Sequence, residues 1–140
     1  MTASKYNSEG YYDPTTYEAL SRIEREERAA RYRPLVYICS PYSHGCINTN
    51  IEKARKYSRF AVDRHCLPIT PHIYFTQFMD DTVSEERETA LFMNFVLMSK
   101  CVELWVFGDT ISAGMKAEIE RAERKHMKIR YFTEELEEKE

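Results

Sequence analysis

Between residues 34 and 132 the apolar positions fall into two alternating kinds of segment. Short runs rich in β-branched and aromatic residues stand at Leu35-Val36-Tyr37-Ile38-Cys39, Leu67-Pro68-Ile69-Thr70, Val102 to Phe107 and Lys128-Ile129-Arg130-Tyr131-Phe132, and these predict strands. Between them apolar residues recur every three or four positions. Ala54, Tyr57, Ala61 and Val62 predict a helix from about Asn48 to His65, and Met115, Ile119 and Ala122 predict one capped by Ser112. Leu91, Phe92, Phe95, Val96 and Met98 give a third, from Ser84 to Lys100, with so broad an apolar face that it is expected to be buried. An unbroken apolar strand belongs to a parallel sheet covered on both faces. The expected class is therefore α/β, one parallel sheet of about four to five strands flanked by helices, Rossmann-like in a flavodoxin-like order, with right-handed crossovers.

The flanks are more polar. Residues 1 to 13 form a loose arm, and Asp13-Pro14 opens an extra N-terminal helix running to about Arg31, with a thin stripe of Tyr17, Leu20 and Ile23. The charges from Arg22 to Arg28 alternate in sign, as on a solvated helix laid on the domain or on a second copy. The limits expected are 1–33 for arm and helix, 34–132 for the α/β domain and 133–140 for an acidic tail, in which Thr133 caps a short helix.

Composition narrows the function classes. A chain of 140 residues that is 43% hydrophobic has ample material for a core. Its net charge of −3, with Lys and Arg spread among the acids, shows no basic face for nucleic acid. No apolar run reaches the roughly 18 residues of a membrane span, nor does the N-terminus resemble a signal peptide, so a cytoplasmic protein with no membrane partner is expected. The four cysteines, Cys39, Cys46, Cys66 and Cys101, have neither Cys-x-x-Cys nor zinc-ligand spacing and read as free, mostly buried thiols without a metal.

In a parallel sheet, ligands sit outside the carboxyl ends of the strands. Three loops leave those ends. The first carries Ser40, Pro41, Tyr42 and Ser43, small hydroxyls and a phenol suited to a sugar or phosphate, and equally the stock of a plain turn. His72 follows the second strand, as a binding group or a hydrogen-bonded structural one. The third loop runs from Gly108-Asp109 to Ser112 and Gly114. Glu118, three residues after Met115 and four before Ala122, faces the buried side of the following helix, where a carboxylate is either salt-bridged or functional. Asn94 lies in or beside an apolar helix face and needs a partner in a pocket or another subunit. The aromatic segment 73–83 suits a lid, a pocket wall or a dimer interface.

Taken together, Tyr37-Ile-Cys-Ser-Pro-Tyr-Ser, Pro71-His72, Glu103-Leu-Trp-Val-Phe-Gly and Ser112-x-Gly114-x-x-x-Glu118-Ile119-x-x-Ala122 resemble the nucleoside 2-deoxyribosyltransferase-like superfamily over residues 34 to 132. The resemblance implies cleavage of the base–sugar bond of a nucleoside or nucleoside 5′-monophosphate, by hydrolysis or by transfer, without cofactor or metal. In such enzymes the Glu matching Glu118 is the nucleophile, and Asp109 is the nearest match to an aspartate that holds the sugar or protonates the departing base. The resemblance also implies that Ser112, Gly114 and the helix amino end take a 5′-phosphate, while Ser40, Tyr42 and Ser43 contact sugar or base. The alternative is a nucleotide-binding or sensing module of a mobile element that has kept the fold without turnover. Surplus apolar surface on the N-terminal helix and on 73–79 predicts a homodimer or homotetramer.

Overall fold

The computed structural model describes residues 14–42 and 45–140, and it separates into two units, 1–33 and 34–140. Asp13, the arm before it and Ser43 lie outside the described residues. The first unit contains helix α1, Pro14–Arg31, as the Pro at its start and its charge pattern predict. Leu20 and Ile23 on its thin stripe are exposed.

In the second unit, strands β1 (Leu35–Cys39), β2 (Leu67–Ile69), β3 (Glu103–Phe107) and β4 (Lys128–Phe132) form one parallel sheet in the order β2-β1-β3-β4. This is the flavodoxin-like order. Chain direction along the sheet reverses at β1, so a crevice opens between the carboxyl ends of β1 and β3.

Helices α2 (Ile47–Asp63), α3 (Pro71–Phe75), α4 (Ser84–Met98) and α5 (Ala113–Arg124) connect the strands. The strand period of two divides the core between two faces. Val36, Ile38, Trp105, Phe107 and Phe132 pack with Tyr57 and Ala61 of α2, while Tyr37, Cys39, Leu104 and Val106 pack with Met98, Met115 and Ala122 of α4 and α5. On the α2 side the Phe107 ring stacks between Tyr57, with centroids 4.2 Å apart, and Phe132, at 5.0 Å. Three cysteines are buried and Cys46 is exposed. Among the described residues no helix is long and apolar enough to cross a membrane.

Three expectations need correction. The apolar face of α4 is only partly covered: Met98 is buried, but Phe92 is 67% and Val96 44% exposed. Its inner residues already fill the gap to the sheet and α5, so the outer half of a wide apolar band is left exposed. Residues 133–140 form no helix and no separate tail. A turn returns the chain antiparallel to β4, with a bridge between Phe132 and Glu138, Leu136 against the core, and Glu138 paired with Arg130. Finally, Pro71 opens a one-turn helix, because a proline at the first helical position gives up only an N–H that has no partner there.

Candidate functional site

The loops at the carboxyl ends of β1, β2 and β3 meet helices α4 and α5 around a cavity of about 650 Å³. That size lies within the usual range of small-molecule sites, about 300–1,000 Å³. Of the residues singled out from sequence, Ser40, Tyr42, His72, Asn94, Ser112, Gly114 and Glu118 line it together. Segment 73–83 supplies part of the wall through Phe75, Thr76, Met79 and Asp81.

Glu118 is placed by α5. Ser112 caps that helix, its hydroxyl accepting from the Met115 N–H at 3.3 Å, and the helical spacing then turns Met115, Glu118 and Ala122 toward the sheet. Glu118 is 8% exposed. Burial raises its carboxyl to about 7, against which the hydrogen bond donated by the Tyr37 hydroxyl lowers it. Among the described residues Oε2 has no hydrogen-bond partner. Burial first, and then the neighbouring Glu118, push the Tyr37 phenol well above its ordinary range, so Tyr37 remains a donor.

Ser40, His72 and Tyr42 form an uncharged, hydrogen-bonded part of the lining. Ser40 Oγ and His72 Nε2 lie 3.2 Å apart, and burial lowers the imidazole to about 4, so His72 is uncharged at neutral pH. The Tyr42 ring is tilted against His72 with centroids 6.1 Å apart. Asn50, buried in α2, donates to the Tyr42 carbonyl at 2.7 Å and thereby fixes the first loop. On α4, Asn94 Oδ1 is buried without a partner. It reaches the cavity, one of the two destinations expected for it.

Asp109, Gly108 and Pro41 do not line the cavity. Asp109 is 90% exposed and pairs with Lys139 Nζ at 2.6 Å, while the Gly108 carbonyl accepts from the same ammonium. The returning C-terminal segment holds both on the outer side of the loop. Gly108 has φ +91°, a left-handed turn that favours glycine, so its role is to let the chain leave β3.

Two contributors escaped the sequence reading. Tyr37 looks like one more apolar residue of a buried strand; the signal was a hydroxyl within a run otherwise lacking polar atoms. Asn50 stands one turn before Ala54 on the apolar stripe of α2, a polar residue at a core position. Among the described residues no group of three or more His, Cys, Asp or Glu side chains is placed to hold a metal ion.

A buried carboxyl raised to about 7, with one oxygen unpartnered among the described residues, steadied by a phenol and opening on a cavity, can act as nucleophile, base or hydrogen-bond acceptor. No curated protein matches the chain. Residues 34–132, which span the sheet and every helix around the cavity, match the family described as "Domain of unknown function (DUF7768)", and the chain belongs to that family.

Proposed function

We propose that this protein cleaves the N-glycosidic bond of a nucleoside or nucleoside 5′-monophosphate, as a hydrolase or a 2-deoxyribosyltransferase-like enzyme, with Glu118 as nucleophile. The observation that carries the reading is Glu118 Oε2, buried, unpartnered and lining the cavity. The resemblance of the Ser112 to Ala122 segment to nucleoside 2-deoxyribosyltransferase-like enzymes supports it. Glu118 attacks the anomeric carbon, the bond to the base nitrogen breaks, and the base leaves with a proton. Water or an acceptor base then attacks the same carbon and frees the carboxylate, as in retaining glycosidases. Tyr37 orients the carboxyl. The proton for the base is assigned to a cavity carboxyl, Asp81, Glu86 or Glu88, because Asp109 lies outside. The same reading includes association as a homodimer or homotetramer, for which exposed Phe92 and Val96 offer surface.

The test is free-base release, followed by chromatography, from ribo- and deoxyribonucleosides and their 5′-monophosphates. Only the ionised carboxylate attacks and only a protonated carboxyl can give the base its proton, so kcat/KM should climb as pH approaches about 7 and fall once the donor ionises. No release at any pH, with or without an acceptor base, would sink the proposal. The placement of Asp109 favours a second reading, a nucleotide-binding module without turnover, and ligand binding without base release would establish that one.

Gly114 separates packing from ligand contact. A Cβ built there meets no described atom within 4 Å beyond its chain neighbours and its own helix backbone. Gly114→Ala should therefore raise stability, by a few tenths up to about 1 kcal/mol, since alanine is the better helix former. The same methyl projects where a bound molecule lies against the α5 amino end, so KM should rise several-fold. An unchanged KM would remove Gly114 from the binding surface.

A further inference from the structure

We propose that the cavity selects an uncharged nucleoside over its 5′-phosphate, with Asn94, Glu86 and Glu88 of α4 setting that specificity; the inference rests on the N-glycosidic reading above.

Charge is the first argument. Among the described residues four carboxyl groups line the cavity, on Asp81, Glu86, Glu88 and Glu118, against one basic residue, Arg87. Glu86 is held in place, its carboxylate accepting from the Asp80 backbone N–H at 3.3 Å. His72 is uncharged at neutral pH and adds nothing to offset the acids. A phosphate dianion entering this field meets net repulsion, which the low-dielectric walls of a cavity strengthen.

Hydrogen-bonding capacity is the second. A helix amino end is the usual cradle for a phosphate, but in α5 the Met115 N–H is bonded to Ser112 Oγ, which leaves at most the Ala113 and Gly114 N–H groups to meet one. Among the described residues the two buried side-chain atoms without partners are both acceptors, Asn94 Oδ1 on α4 and Glu118 Oε2 on α5. A phosphate dianion brings only acceptors. The two ligands share their base and their other sugar hydroxyls, but the nucleoside has a 5′-hydroxyl, a donor that phosphorylation removes, and leaving a buried acceptor unmet is costly enough to discriminate between them.

The experiment compares each nucleoside with its 5′-monophosphate at pH 8, where the phosphate is a dianion, by titration calorimetry and by base release. The full chain, Asn94→Ala and the double variant Glu86→Gln/Glu88→Gln are compared, with melting curves to show that each folds. The nucleoside should be favoured by at least about tenfold in Kd and kcat/KM, and added salt should narrow the gap. The double variant should shift the ratio toward the monophosphate by about threefold or more. Asn94→Ala should weaken nucleoside binding about tenfold. Equal or better use of the monophosphate overturns the inference but leaves the glycosidic reading standing. Preferential nucleoside binding without base release supports the charge selection and removes the glycosidic reading. Failure of every nucleoside to bind overturns both.

Discussion

Glu118→Gln will cut base release by at least about a thousandfold, because an amide cannot form the glycosyl ester. The same exchange will make the protein more stable above pH 7. In the folded chain burial holds the Glu118 carboxyl at about 7, against an ordinary 4.5, so the native state binds this proton more tightly than the unfolded state does. Stability linked to that proton is complete below pH 4.5 and is lost as pH rises through 7. The loss amounts to about 3 kcal/mol. Glutamine does not ionise and escapes it, so the variant should gain up to roughly 10 °C in Tm over the native protein at pH 8 and almost nothing at pH 4. Calorimetric melts at the two pH values decide the matter. A variant that is less stable at pH 8 would mean that Glu118 is a satisfied structural carboxylate, and the nucleophile assignment would fall with it.

Phe107→Ala should have an equally large effect on stability with little on the site. The ring is fully buried between Tyr57 and Phe132, with Phe60 meeting it edge-on at 6.1 Å. Truncating a core phenylalanine costs about 3–5 kcal/mol, out of a total that for a domain is about 5–15. The urea midpoint should fall accordingly, with an unchanged slope. Phe107 lies on the α2 side of the sheet and Glu118 on the other, so the folded fraction at low temperature should bind ligand normally. A loss below about 1 kcal/mol would mean that the three stacked rings are not a cooperative part of the core.

The strands were legible because parallel strands buried on both faces write unbroken apolar runs, and Leu35–Cys39 has the limits read from sequence. Glu118 was legible because one carboxylate on an apolar helical stripe has few places to go. Periodicity identifies which side of a helix is apolar but not how much of that side the neighbours cover, hence the exposed Phe92 and Val96. Asp109 was misplaced because standing at a strand's carboxyl end does not fix which way the loop turns. Its partner, Lys139, is 30 residues away, and no local pattern connects them. Tyr37 escaped because a tyrosine in a buried strand earns its place by packing, whatever else its hydroxyl does.

The two margins of the sheet limit how this protein can meet other chains. β2 is three residues long with Pro68 at its centre, which has no N–H to offer, and the returning segment with Glu138 occupies the carboxyl half of β4. Among the described residues neither margin presents a long ladder of open N–H and C=O groups, the template on which strands add and aggregates grow. Were copies to associate as proposed, side chains rather than open backbone would carry the contact, so its strength should answer to temperature and to residues such as Phe92.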